Sequence, residues 1–234
     1  MNMGFDANMS PREIIARRAA QELQNGEVVN LGIGIPTQTP NYLPAGVEVM
    51  FHTENGAFGF GATPNYAETD SDLTNAGGEP VTLQPGASVM DLATSGGAMR
   101  KGYIDVTILG GLEVDQTGNL ANWAVERKGK WWPGMGGAMD LCYGAAKVIV
   151  TMNHCDKAGL SKIRRHCALP LTGSKCVDVI ITEKAVFGVG DECLIMRQAA
   201  PGLSPSEIGE ITDAEFTVAR DFSEIALDFD LGQN

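Results

Sequence analysis

The 234-residue sequence has no unbroken apolar run of the about 18 residues that a membrane-crossing helix requires. Its opening stretch, MNMGFDANMSPREII, has neither a basic leader nor an apolar core segment of the kind that marks a secretory signal. The cytoplasm is therefore the expected location. Positive charge is also scarce: 17 Lys and Arg stand against 29 Asp and Glu, for a net charge of −12. General binders of nucleic acid or of anionic membranes need the opposite balance. The five cysteines (142, 155, 167, 176 and 193) are odd in number, scattered and free of any CxxC pair, which suits free thiols in a reducing compartment better than a disulfide framework. No HxxxH or DxD motif supports a metal at Glu54, so no metal centre is expected. Nor is there a fixed-period repeat, a low-complexity tract or an obvious linker. A single domain over residues 1–234 is expected, with a core over 10–220 and an acidic tail over 221–234.

The segments present are short apolar runs alternating with helical patterns. Residues 10–26 read as a helix, with Ser10 as N-cap, Pro11 at the first position, Glu13 completing a capping box and Asn25-Gly26 as the stop. The runs at 27–33, 47–52, 81–86, 104–111, 147–154, 177–183 and 215–220 read as strands. Residues 88–102 read as a weak helix with glycines in its middle, 119–126 as ambiguous, and 204–211 as a helix capped by Ser204, Pro205 and Glu207. Several of the strands end on glycine. This is the signature of an α/β fold with an open sheet, mixed or parallel, flanked by helices. Ligands of such sheets sit beyond the carboxyl ends of the strands. The Gly32-Ile33-Gly34 turn, the Gly110-Gly111 turn and the loop at Glu54 all follow strands, which predicts that they share one edge.

Three motifs are weaker than they first look. The GxG of NLGIGIPT (30–37) follows a strand, but Thr37 stands where a dinucleotide fingerprint has its third glycine, and Pro36 interrupts it. The pairs His154-Cys155 and His166-Cys167 place neighbouring residues on opposite faces of any strand, so both members of a pair do not converge on one zinc ion. Lys157, Lys162, Arg164 and Arg165 form the densest basic cluster of an acidic chain, which reads as a solvated face or as a meeting point for a polyanion or a partner.

Glu54 is different. It lies in FHTENGAFGFGATPNY (51–66), with no lysine or arginine within ten positions on either side, among Phe51, His52, Phe58 and Phe60 and followed by small residues. Base, metal ligand and nucleophile are the jobs open to a carboxylate in such a place. A nucleophilic carboxylate needs no activating partner, because carboxylates are ionised at neutral pH. It does need an activated acyl group and donors for the developing oxyanion. The glycines of KWWPGMGGAMDL (130–141) offer backbone N–H groups of that kind.

Taken in order, VNLGIGIPT, TENGAFGFG, LQPGAS, GYIDVTILGG, GNLANW, GMGGAMDL and LPLTG followed by VDVIIT resemble the family I CoA-transferases, specifically the B (β) subunit of 3-oxoacid CoA-transferases, over roughly residues 10–190. The resemblance implies the CoA-transferase fold and makes Glu54 the nucleophile, within Thr53-Glu54-Asn55-Gly56 where the family has SENG. It makes the backbone of Gly137 the contact to the reacting carbonyl, and it implies substrate or CoA contacts at Asn55, Gly56, Gly32, Gly34 and Gly136. It further implies ping-pong transfer of CoA between an acyl-CoA and a short-chain acid through a glutamyl anhydride and a glutamyl-CoA thioester. Coenzyme A is then a substrate and no cofactor is bound permanently. The partner implied is a CoA-transferase A (α) subunit of the same fold. Acetoacetate, acetate, butyrate, succinate and 3-oxoadipate all remain open as substrates, and residues 125–134, with Trp131 and Trp132, depart from the family's pattern. The competing readings are an acyl-CoA hydrolase that uses the same glutamate, and a non-catalytic ligand-sensing domain of the same fold.

Overall fold

The computed structural model describes residues 8–227. Helix α1 (Pro11–Ala20) is followed by strands β1 (Val28–Leu31), β2 (Met50–Thr53), β3 (Ala57–Phe60) and β4 (Leu83–Val89), then by helix α2 (Leu92–Arg100). Next come β5 (Val106–Gly110), β6 (Glu113–Asp115), β7 (Leu120–Ala121), β8 (Ala124–Arg127), β9 (Lys130–Pro133) and helix α3 (Ala138–Gly144). The chain continues through β10 (Lys147–Thr151), β11 (Ile163–Arg164), β12 (Val179–Ile181), β13 (Ala185–Val189) and β14 (Leu194–Ala199) to helix α4 (Pro205–Glu210) and β15 (Phe216–Glu224).

Ten of these strands form one sheet in the order β15-β14-β13-β12-β10-β5-β1-β2-β3-β4. Its centre, β12-β10-β5-β1-β2, is parallel throughout. Strands buried on both faces read as continuous apolar runs rather than alternating ones, which is why 104–111, 147–154 and 177–183 look as they do. The side chains still alternate. Val148 and Val150 of β10 and Ile180 of β12 enter one apolar cluster with Met99 of α2, Leu141 of α3 and Ile208 of α4. Ile149, Val179 and Ile181 enter the other, with Ile15, Ala16 and Ala19 of α1. Helix α1 thus covers one face of the sheet, and α2, α3 and α4 the other.

Helix α1 ends at Ala20, short of Asn25-Gly26. The Ser10 hydroxyl accepts from the Glu13 N–H at 3.2 Å, but the Glu13 carboxylate turns to Arg17 at 3.1 Å, so only half of the expected capping box forms. At α4 the box is complete. Six strands and a helix lie where the sequence reads as loop, the short β6, β9 and β11 among them. Strand β3 is hidden by its glycines, β13 and β14 lie in 184–200, and α3 begins inside the glycine-rich stretch. The last strand runs on to Glu224, and Ile225 and Leu227 are buried, so the acidic tail up to residue 227 packs with the sheet. The remainder, 228–234, lies outside the described residues. No helix of the described residues is long and apolar enough to cross a membrane.

His154 is fully buried, its ring held between the hydroxyls of Thr182 at 3.1 Å and Thr212 at 3.0 Å. Burial, helped by the nearby Lys184, pushes its pKa down to about 4. The gap from the ordinary histidine value to about 4 amounts to about 3 kcal/mol of stability at neutral pH. The neutral ring is the form that folds, so this contribution is present above pH 6.5 and is lost as pH falls toward 4. Urea unfolding at pH 7 and at pH 4.5 is expected to show a steep loss of stability, and His154→Gln to flatten that slope; an unchanged slope contradicts it.

Candidate active site

The parallel register brings the carboxyl ends of β1, β2, β5 and β10 to one edge of the sheet. Gly32, Glu54, Gly111 and Met152 are the residues next after those ends, and all four border a cavity of about 680 Å³. The expectation that the three strand-end turns share an edge is met.

Glu54 stands in the tight turn that joins β2 to the antiparallel β3. The turn is closed by the Gly56 N–H donating to the Thr53 carbonyl at 3.0 Å, and the Met90 N–H donates to the Gly56 carbonyl at 2.8 Å. Gly56 has φ +128°, and a Cβ there would lie 2.1 Å from the Met90 oxygen, so no other residue fits. Thr53 uses its hydroxyl structurally. It donates to Asn55 Oδ1 at 2.7 Å and accepts from the Ala76 N–H at 2.8 Å, while Asn55 Nδ2 donates to the Thr74 carbonyl at 2.8 Å. The polar groups of Asn55 and Gly56 are thus engaged in holding the turn and the 74–76 segment.

Across the cavity edge, Gly137, the residue before α3, donates its N–H to Glu54 Oε2 at 3.1 Å. The approach is possible only because no side chain intervenes. A Cβ on Gly137 would lie 2.6 Å from Oε2, and one on Gly136 would lie 2.9 Å from Oε1. The turn from Gly134 to Gly136 has positive φ at both glycines and borders the cavity. Gly32 and Gly34 border it from the other side. The Gly32 N–H donates to the Ile108 carbonyl at 2.8 Å, and Gly34 has positive φ, with the Arg12 guanidinium 4.0 Å from where a Cβ on it would stand.

Two cations on the cavity wall are not distinguished by sequence reasoning, Arg12 of α1 and Lys162. The basic cluster at 157–165 does not stay together. Arg164 pairs with Glu113 at 3.5 Å and Arg165 with Glu215 at 3.3 Å, while Lys162 turns inward and donates to the Gly111 carbonyl at 2.8 Å. Burial lowers the Lys162 ammonium to about 8, against the pull of Glu183, Asp156 and Glu113. A lysine in a surface-type sequence carries no signal of this; only the pairing of β11 with β6 turns it in. Trp131, on β9 in the departing segment, is largely exposed. The side chain of Trp132 lies outside what the structure describes.

The site therefore presents a carboxylate held by one backbone donor, at a largely apolar, glycine-rich cavity with two cations on its wall. Comparison with known proteins gives this geometry its context. Residues 12–210 match the model of the coenzyme A transferase family. The chain is 50% identical over 220 residues to the beta chain of the acetate CoA-transferase of Haemophilus influenzae, covering 94% of this chain and 97% of that one. It is 48% identical over 207 residues to the B-type subunit of the succinyl-CoA:3-ketoacid coenzyme A transferase of Helicobacter pylori, covering 88% and 99%. Among solved structures, an acyl-CoA transferase from Escherichia coli O157:H7 superposes with a TM-score of 0.74 at 21% identity, covering 98% of this chain and 47% of that one, a likeness of fold. By these matches the chain belongs to the coenzyme A transferase family, whose reaction moves coenzyme A from one carboxylic acid to another.

Proposed function

We propose that this chain is the nucleophile-bearing subunit of a transferase that exchanges CoA between an acyl-CoA and a short-chain acid, acetate or a 3-oxo acid, by a covalent route on Glu54. The observation that carries the reading is the 3.1 Å hydrogen bond from the Gly137 N–H to Glu54 Oε2. It leaves Oε1 as the attacking oxygen and holds a donor on the other.

The atoms balance as follows. Glu54 Oε1 attacks the thioester carbon and the carbon–sulfur bond breaks, giving a mixed anhydride and the CoA thiolate. The thiolate attacks the glutamyl carbon. The oxyanion that forms there is Oε2, the atom already bonded to the Gly137 N–H, so the donor needs no reorganisation. The donor acid leaves with one Glu54 oxygen and the side chain becomes a CoA thioester. The acceptor carboxylate runs both steps in reverse. A donor of this kind is worth about 3–4 kcal/mol of barrier. Nothing in the scheme consumes water, and a hydrolase reading needs water admitted to the thioester.

The acidic chain has few cations for the CoA phosphates, and the cavity lies open at the sheet edge with Ile33, 67% exposed, beside it. Closure by an α-type subunit fits both features, and the relatives named as β- or B-type subunits point the same way. A cytoplasmic location agrees with five free cysteines.

Two experiments test the reading. Intact-mass measurement of the assembled enzyme after addition of acyl-CoA is expected to give a CoA-sized adduct that maps to Glu54 and is absent in Glu54→Gln, with little free thiol released until an acceptor acid is added. An adduct on a cysteine, or steady thiol release without acceptor, contradicts it. Lys162 supplies the second. Its ammonium, at about 8, attracts the acid carboxylate only while protonated, so KM for the acid is expected to be flat below pH 8 and to rise about tenfold for each pH step above it. Lys162→Met is expected to raise KM at pH 7 and remove that rise; the same profile in the variant excludes the lysine from acid binding.

A further inference from the structure

Beneath the catalytic turn, the apolar sheet carries a row of polar side chains that the reaction scheme above does not use. The parallel register sets Asn30 of β1 opposite His52 of β2 on one side and Thr107 of β5 on the other. All three are essentially inaccessible, at 1%, 0% and 0% exposure, and so is Ser95 of α2, which packs over them. A buried polar row costs stability unless every member is bonded. Here every member is, and the bonds run in one direction.

The Thr107 hydroxyl donates to Asn30 Oδ1 at 3.2 Å, which leaves Asn30 Nδ2 as a donor to His52 Nδ1 at 3.0 Å. The same Nδ2 also reaches the His52 carbonyl at 3.3 Å. Since Nδ1 accepts, the ring proton is on Nε2. The Ser95 hydroxyl lies 3.0 Å from Nε2 and has one proton, which it donates to the backbone carbonyl of Glu54 at 2.8 Å. It therefore accepts from His52. The relay has no free end: it starts on β5, crosses three strands, passes through α2 and terminates on the main chain of Glu54 itself. The Phe58 ring lies against the His52 ring with centroids 4.3 Å apart, and burial lowers the His52 pKa to about 4, so the ring stays neutral at physiological pH.

We propose that His52 and Ser95 are positioning residues for the transfer reaction: by fixing the Glu54 carbonyl they set the direction in which its side chain leaves the turn, and so hold the carboxylate at the Gly137 N–H. The inference rests on Glu54 being the nucleophile. The Gly56 and Gly137 contacts fix the two sides of the turn, but the hydroxyl of Ser95 is the side-chain donor that reaches the Glu54 peptide from below. A nucleophile displaced by a fraction of an ångström loses rate while substrate binding, made elsewhere along the cavity, is untouched.

The test uses the assembled enzyme with four variants. Ser95→Ala and His52→Leu are expected to lower kcat about tenfold or more, with KM for acyl-CoA within about twofold. His52→Gln can accept from Asn30 and donate to Ser95, and is expected to restore kcat to within about threefold of the parent. Rates are normalised to the fraction of sites that form the CoA adduct, so loss of folded protein does not count as an effect. If His52→Leu fails to fold, Ser95→Ala, which removes one oxygen, decides alone. Parent-like normalised kcat in Ser95→Ala overturns the proposal, as does a kcat for His52→Gln no better than that for His52→Leu. Glu54→Gln separates the two levels. If it is inactive while Ser95→Ala is parent-like, only the positioning inference fails; if it is active, the nucleophile assignment fails.

Discussion

The distance from the Gly137 amide to the Glu54 carboxylate is the constraint on which the rest of the site depends. A backbone N–H meets a carboxylate at 3.1 Å only if neither partner has a side chain in the way, and a methyl group at either residue 136 or 137 would stand inside 3 Å of the carboxylate. The requirement reaches outward from there. It demands a turn at Glu54 tight enough to aim a side chain at a neighbouring loop, hence a glycine at 56 with φ +128°. It demands that the loop be long enough to reach the sheet edge, hence the run of glycines ahead of α3.

The sheet supplies the frame. Parallel strands place their carboxyl ends together, and four such ends here converge on one cavity without any strand offering a binding surface along its length. The strands behave as rods whose tips carry the chemistry. Of the four residues at those tips, Gly32, Glu54, Gly111 and Met152, the one carboxylate is the residue that the reaction scheme uses. The polar row of Asn30, His52 and Thr107 crosses the same three strands just behind the tips, where an aliphatic row would pack with less risk. Its presence is best understood as support for the turn rather than for the sheet.

Much of this was legible in residues alone, for physical reasons. Apolar β-branched runs mark strands buried on both faces, and lone carboxylates in glycine-rich, cation-free surroundings are rare enough to draw the eye to Glu54. Glycine at residue 137 could be matched to it because family motifs preserve close backbone approach. What could not be read depends on register or on glycine's ambiguity. Strand β3 contains Gly59 with φ +80° and a shift of register between Phe58 and Phe60, so it has no period to detect. Helix α3 starts in glycines that favour no conformation. Lys162 looked like any member of a basic cluster, and His52 like an aromatic neighbour, until strand pairing turned one into the cavity and set the other against Asn30. Asn55 was legible as a motif residue, but its side chain is engaged in bracing the turn.

Oxygen transfer tests the central claim most directly. If Glu54 is a covalent way-station, an oxygen of the acceptor carboxylate must remain on Glu54 after each turnover and leave with the donor acid in the next. With acceptor acid labelled with oxygen-18, the peptide containing Glu54 is predicted to gain the label, and the donor acid released in later turnovers to carry it, with none passing to water. The other acceptor oxygen stays as the carbonyl of the acyl-CoA formed; a Glu54 peptide that remains unlabelled after turnover, or label that appears in water, contradicts the account.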